Sequence, residues 1–201
     1  LGVARFFQLL AKYGWKKQRV KKFFKFYEHL RFSGVNGRQR YKLTPVQAFQ
    51  FASIYGFSRP DGRRLVRTAY LFVPRKFSKT TSAAALAVYD MLFGDNNAQA
   101  YVGANSYEQA KICFDEIRAI MQDIDPREKH FRINREKITF KDRGRDSLIQ
   151  CLTANAKTKD GLFASLVIMD EYAQARNTAG KNGADLKNTL VTSMGPRREP
   201  L

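Results

Sequence analysis

Leu65-Val66-Arg67-Thr68-Ala69-Tyr70-Leu71-Phe72-Val73-Pro74-Arg75-Lys76-Phe77-Ser78-Lys79-Thr80 is the stretch whose reading settles the fold class. Its first nine residues are rich in apolar, aromatic and β-branched side chains and predict a strand running into a core, with Pro74 as its stop. After the loop 75–80, the Ala-rich run from Thr81 to Phe93 reads as a helix closed by Gly94. The small side chains of Ala83, Ala84, Ala85 and Ala87 suit a helix lying close against a sheet. A strand, a tight loop ending in Lys-Thr and a helix together make a phosphate cradle. Helix N-terminal N–H groups point at the anion, the helix dipole favours it, and a lysine ammonium neutralises phosphate oxygens. Lys79 takes that lysine position, and Thr80 takes the position of a magnesium-ligating hydroxyl. The pattern GxxxxGK[ST] is incomplete, because Val73 stands at its first glycine and Ser78 at its second.

Downstream, strands and helices alternate. Residues 98–104 read as a strand, and 106–122 as a helix with Ser106 and Gln109 spaced as a capping box. Residues 131–140 and 147–152 read as strands joined near Arg143-Gly144, and Leu166-Val167-Ile168-Met169 as a strand buried on both faces. A further helix is expected around 185–193, ended by Gly195-Pro196. This alternation predicts an α/β domain with a mainly parallel sheet flanked by helices. Asp170-Glu171 follows the apolar strand without a gap, about ninety residues after Lys79. Nucleoside triphosphate hydrolysis needs such a pair: an Asp to hold magnesium and a Glu to polarise the attacking water. Two carboxylates after a strand are also common as plain surface residues, so the pair gains weight only in combination with the loop.

Upstream, Val3 to Arg31 reads as helix interrupted at Gly14, and Ser33 to Arg40 as a linker. A helix follows from Pro45 to Tyr55, with Thr44 as N-cap. Gln47 in the run Lys42-Leu43-Thr44-Pro45-Val46-Gln47 could read an adenine edge, since its amide both donates and accepts; it could equally be a helix-surface residue. Lys16, Lys17, Arg19, Lys21, Lys22 and Lys25 crowd one helix and form either a solvated face, a phosphate-binding arm or an oligomer contact. The whole chain of 201 residues has 36 Lys and Arg against 18 Asp and Glu, a net charge of +18, which points to a polyanionic partner. Its two cysteines form no CxxC and its two histidines no metal motif, which argues against a disulfide scaffold and a zinc enzyme. No apolar run reaches membrane-spanning length, and low cysteine use favours a cytosolic setting. The missing initiator Met suggests a processed chain or a fragment.

The run 43–47, the loop Val73-Pro74-Arg75-Lys76-Phe77-Ser78-Lys79-Thr80 and the segment 166–172 resemble the ATPase domain of tailed-bacteriophage large terminases. Tyr101-Val102-Gly103-Ala104 with Glu108-Gln109-Ala110 is similar to the family's second strand and its following helix start. Lys159-Asp160-Gly161-Leu162 is similar to its turn before the acidic strand, and 195–201 to the segment entering the next strand. The resemblance covers about 42–201. It implies a P-loop ATPase domain over 41–201, preceded by a basic helical extension and linker over 1–40. It implies an ATP- and Mg2+-dependent motor that packages double-stranded DNA into procapsids. The implied partners are further copies of the chain in a ring on a portal, and a small terminase subunit, in the cytoplasm of the bacterial host and without a membrane. Family members carry a C-terminal nuclease domain; this chain ends at Leu201, so the fragment is not expected to cut DNA.

The implied site gathers Arg75, Lys76, Ser78, Lys79, Thr80 and Thr81 around the phosphates, with Gln47 at the adenine. Thr80 and Asp170 would hold magnesium, and Glu171, Lys79 and Arg75 would act in catalysis. An arginine from a neighbouring subunit is expected, with Arg197 and Arg198 as first choices and Arg143 and Arg145 as rivals. Asp123, Asp125, Asp142 and Asp146 form no clear metal site. Ser78 departs from the family's glycine, at a cost of about 1 kcal/mol if a positive φ is required. Two other readings stay open: a helicase-like ATPase lobe, and a basic nucleic-acid-binding module whose loop no longer turns over ATP.

Overall fold

The computed structural model describes residues 2–74, 76–104, 106–141, 144–152, 161–170 and 183–201. They fall into two compact units, one over 1–73 with Leu201 and one over 74–200.

The first unit contains α1 (Val3–Lys12), β1 (Gly14–Trp15), α2 (Lys17–His29), β2 (Arg31–Gly34), β3 (Gly37–Arg40), α3 (Pro45–Gly56) and β4 (Phe57–Ser58). The interruption expected at Gly14 divides 3–31 into two helices. Gly14 and Trp15 between them pair antiparallel with Ser58 and Phe57. That approach is close, because a Cβ on Gly56 would come within 2.1 Å of the Trp15 ring. The stretch expected as a linker is a hairpin, with Arg31 opposite Arg40, Phe32 opposite Gln39 and Ser33 opposite Arg38. The turn residues read as a linker signal are hairpin chemistry: Gly37 closes the turn at φ +88°, a conformation glycine adopts without strain. Aromatic rings fill the unit's interior. Phe23 packs at 4.5 Å from Phe51 and 4.7 Å from Tyr55, and Tyr27 at 4.9 Å from Phe32.

The strand expected over 65–73 is not formed. Its start is tied down, where Leu65 N–H donates to the Phe57 carbonyl and Arg64 bridges Ser58. Tyr70 and Phe72 are exposed. Composition favoured a strand there, but a strand exists only where a neighbour accepts its ladder, and 66–74 has no ladder partner among the described residues.

The second unit contains α4 (Lys79–Phe93), β5 (Gln99–Gly103), α5 (Tyr107–Ile124), β6 (Phe131–Ile133), β7 (Lys137–Phe140), β8 (Leu148–Leu152), β9 (Leu166–Met169) and α6 (Gly183–Ser193). The sheet order is β6-β7-β8-β5-β9. β5 runs parallel to both neighbours, β7 is antiparallel to β6 and to β8, and so four of the five strands point the same way. The mainly parallel α/β architecture is therefore present. The run 131–140, expected as one strand, is a hairpin of two that turns at 134–136. Ala84, Ala85, Ala87, Val88 and Met91 of α4 are fully buried, and α4 packs on β5, β8 and β9. The small side chains let the helix sit close to the sheet, as their spacing predicted.

Candidate functional site

The loop 74–78 carries its strain where the sequence has no glycine. Lys76 has φ +64° and Ser78 has φ +56°, ψ +35°, both left-handed. Such residues cost about 1–2 kcal/mol each and concentrate at functional sites. Successive N–H groups in turns of this kind form concave anion-binding surfaces. Ser78 is the N-cap of α4 but makes no side-chain bond to the helix. Its carbonyl instead accepts from Ser82 N–H at 3.0 Å and from the Thr81 hydroxyl at 2.9 Å. Helix α4 thus begins at Lys79, two residues earlier than its apolar pattern predicted, and Lys79 and Thr80 lie in its first turn, half-buried. A phosphate oxygen placed there would accept from first-turn N–H groups at the positive end of a 15-residue helix.

The acidic strand leads to the same end of the sheet. The last turn of α4 is fixed at the amino ends of the parallel strands. Ser165, just before β9, donates its hydroxyl to Asp90, and Arg145 donates to the carbonyls of Met91 and Leu92 at 3.1 and 3.0 Å. From Asp90 back to Lys79 is eleven residues, about 16 Å of helix. From Ser165 forward to Asp170 is five residues, about 16 Å of strand. With α4 packed along β9, both run from a common anchor to the carboxyl edge. Asp170 is held there by its N–H, which donates to the Gly103 carbonyl at 3.0 Å. The buried Cys113 thiol of α5 is pushed up in pKa first by burial and then by the Asp170 carboxylate, which puts that carboxylate within electrostatic reach of α5. Lys79, Thr80 and Asp170 therefore share one edge. An ammonium, a hydroxyl and a carboxylate there suit a nucleotide's phosphates with a hard, oxygen-seeking cation such as Mg2+.

The remaining predicted residues separate. Arg75 and Glu171 lie outside the described residues, as does the rival Arg143. Lys76 is exposed beside Ser78. Gln47 sits in the first unit, buried, and its amide is engaged: its oxygen accepts from Thr44 N–H at 3.0 Å and the Thr44 hydroxyl at 3.1 Å, and its nitrogen reaches the Tyr27 hydroxyl at 3.4 Å. This is the reciprocal cap of α3 rather than the free surface residue that the pattern also allowed. Arg197 is only 6% exposed and stands at the amino edge. Its guanidinium donates to the carbonyls of Asn97 and Phe163 and to Asn97 Oδ1, and lies 3.8 Å from the centre of the Phe163 ring. A side chain so committed clamps the Asn97 and Phe163 segments together. Arg198 is exposed. Arg145 caps α4 and stacks on Phe140 at 4.6 Å.

Sequence reasoning missed the amino-edge latch. Ser147 accepts from Ala98 N–H, and Ser165 accepts from Gln99 N–H at 2.8 Å. Lone serines before strands carry no signal until the strands are placed. Asp125, set aside as a metal ligand, binds three backbone N–H groups of Lys129, His130 and Phe131. Among the described residues no three His, Cys, Asp or Glu side chains gather as a metal site, and no helix is long and apolar enough to cross a membrane.

A family model for the terminase large subunit, ATPase domain, matches residues 45–201. The solved large terminase of bacteriophage HK97 is similar, with a TM-score of 0.69 at 27% identity over 91% of this chain and 36% of that one. The large terminase ATPase domain of Thermus phage P74-26 has a TM-score of 0.45 at 20% identity, over 59% of this chain and 52% of that one. This chain thus spans about a third of the HK97 protein's length. Among curated proteins, nothing matches.

Proposed function

The chain belongs to the terminase large subunit ATPase-domain family, and on that premise we propose that it hydrolyses ATP at the carboxyl edge of its sheet to drive double-stranded DNA into a procapsid. The convergence of the α4 N-terminus and Asp170 on one edge carries the reading. Lys79 neutralises the β- and γ-phosphates, while first-turn N–H groups and the strained backbone of Lys76 and Ser78 cradle them. Arg75 and Thr81 complete the loop around the phosphates. Thr80 and Asp170 are the residues to hold Mg2+, which would supply charge neutralisation across the phosphates. Glu171, adjacent in sequence to Asp170, polarises the attacking water. Reading adenine with Gln47 requires its amide to give up the long 3.4 Å bond to Tyr27. A family match that begins at residue 45 supports an ATPase region over 41–201 and an extension over 1–40. Double-stranded DNA, a homo-oligomeric ring on a portal and a small terminase subunit are the proposed partners, acting in the host cytoplasm.

That a non-glycine residue holds the left-handed geometry at Ser78 favours a working loop over a degenerate one. Steady-state phosphate release at saturating ATP and Mg2+ tests this. Glu171→Gln should lower turnover by about 10²–10⁴-fold, the usual worth of a positioned acid–base group. Lys79→Ala should abolish it. Wild-type turnover no higher than that of Glu171→Gln, with partner subunits supplied, would refute the motor.

A further inference from the structure

The charge of this protein is concentrated. Residues 1–73 hold 16 of the 36 Lys and Arg but only two carboxylates, Glu28 and Asp61, so 14 of the 18 excess positive charges lie there. Asp61 is already bonded to Arg63 at 2.6 Å. The remaining 128 residues are nearly balanced, with 20 basic against 16 acidic side chains.

The fold of this unit sorts the cations onto outer faces. Helix α2 buries Val20, Phe23 and Tyr27. Lys17, Lys21, Lys22 and Lys25 are exposed and point away from that buried stripe, with Glu28 as the lone acid beside them. The hairpin repeats the arrangement. Phe32 is fully buried on one face, its ring 4.9 Å from Tyr27. The other face sets Arg31 directly opposite Arg40, with Arg38 opposite Ser33. Arg38 donates to the Ser33 hydroxyl at 3.2 Å and to the Arg31 carbonyl, which holds it along the ribbon. Like charges placed directly across an antiparallel ladder oppose folding, as do lysines four apart on a helix. A sequence that builds both is arranged for an external polyanion.

We propose that the arginine face of the β2–β3 ribbon grips the phosphate backbone of duplex DNA, with the lysine face of α2 as a second cationic face for the same polyanion. Linear polyphosphate matches a surface of many cations and almost no acids, and arginine forks suit phosphate oxygens. Contacts go to phosphates, so binding is insensitive to base sequence. The choice of duplex DNA rests on the terminase reading; the surface itself rests on the charge and the pairing.

The test is fluorescence anisotropy with two unrelated duplexes of about 30 base pairs, over about 50–200 mM salt. Wild type should bind both alike, with affinity falling steeply as salt rises. Arg31→Gln/Arg40→Gln should flatten the log–log salt slope by about 2, and Lys21→Gln/Lys22→Gln/Lys25→Gln by about 3, with affinity falling at least tenfold at about 0.1 M salt. The arginine pair carries an internal control: relieving its repulsion should leave the melting temperature equal or higher, so lost binding cannot be read as lost folding. Unchanged slope and affinity in both variants would overturn the proposal. So would loss of self-association, seen by light scattering, in place of DNA binding. Wild-type ATP turnover measured without DNA keeps the motor reading separate: turnover with no DNA binding at low salt removes the surface and leaves the ATPase standing.

Discussion

Ser78 decides how the phosphate loop is built. Its left-handed backbone is part of the folded loop, where a serine costs about 1 kcal/mol relative to glycine. Ser78→Gly should therefore raise the melting temperature by about 2–4 °C, by calorimetry. Ser78→Val should destabilise, since a β-branched residue tolerates this conformation least. The cysteines behave as core residues. Burial pushes the Cys151 thiol up to about 11, Glu136 adding to it, and raises Cys113 further. Both stay protonated at pH 8, and the thiolate is the reactive form. Disulfide-exchange reagents should label neither in the native protein and both after denaturation.

Elements were legible where periodicity and caps agreed. Thr44-Pro45-Val46-Gln47 predicted the start of α3, and the structure has the full reciprocal box. Thr44→Ala should cost about 1 kcal/mol in denaturant unfolding. The alternation from 98 onward and the Ala-rich helix were equally readable, and with them the α/β class. The stretch 65–73 was not, because strand propensity describes a side chain's fit to a pleated surface and cannot supply the neighbour. The hairpin at 31–40 was missed for the opposite reason: its polar outer face hid a ribbon whose one buried anchor is Phe32. Asp125 shows the same limit for function. Burial raises its pKa, but the N–H groups of His130, Lys129 and Phe131 outweigh that and hold it below the usual carboxylate range. A depressed folded pKa stabilises fully above about pH 4 and loses that stabilisation as pH falls through the folded value. Asp125→Asn should remove this part of the acid limb in melting curves taken from pH 5 downward.

At the scale of the whole molecule, the two edges of the sheet have different jobs. The amino edge is latched by Ser147, Ser165, Asp90, Arg145 and Arg197, while the carboxyl edge carries the strained loop and Asp170. Order in the chain led to the expectation that Lys79 and Asp170 serve one site, but it could not tell Arg197 from Arg198, which are neighbours in sequence, one buried and the other exposed. Arg197 joins Asn97 to Phe163, the lead-ins of two adjacent parallel strands, through several N–H donors and a ring face. Lysine keeps the charge but cannot fork or stack in this way. Arg197→Lys should thus cost about 1–3 kcal/mol, the penalty for leaving buried acceptors unsatisfied. ATP turnover, measured well below the melting point, should barely change. Arg198 is exposed, and of the pair it is the one we propose for a role across a subunit boundary. Arg198→Ala should leave stability intact and lower turnover only in the assembled ring. Mixing it with Glu171→Gln decides the matter. If Arg198 acts across a subunit boundary, each mixed interface that joins an intact Glu171 to an intact Arg198 regains activity. If mixtures show only the average of the two variants, the trans-acting cation lies elsewhere.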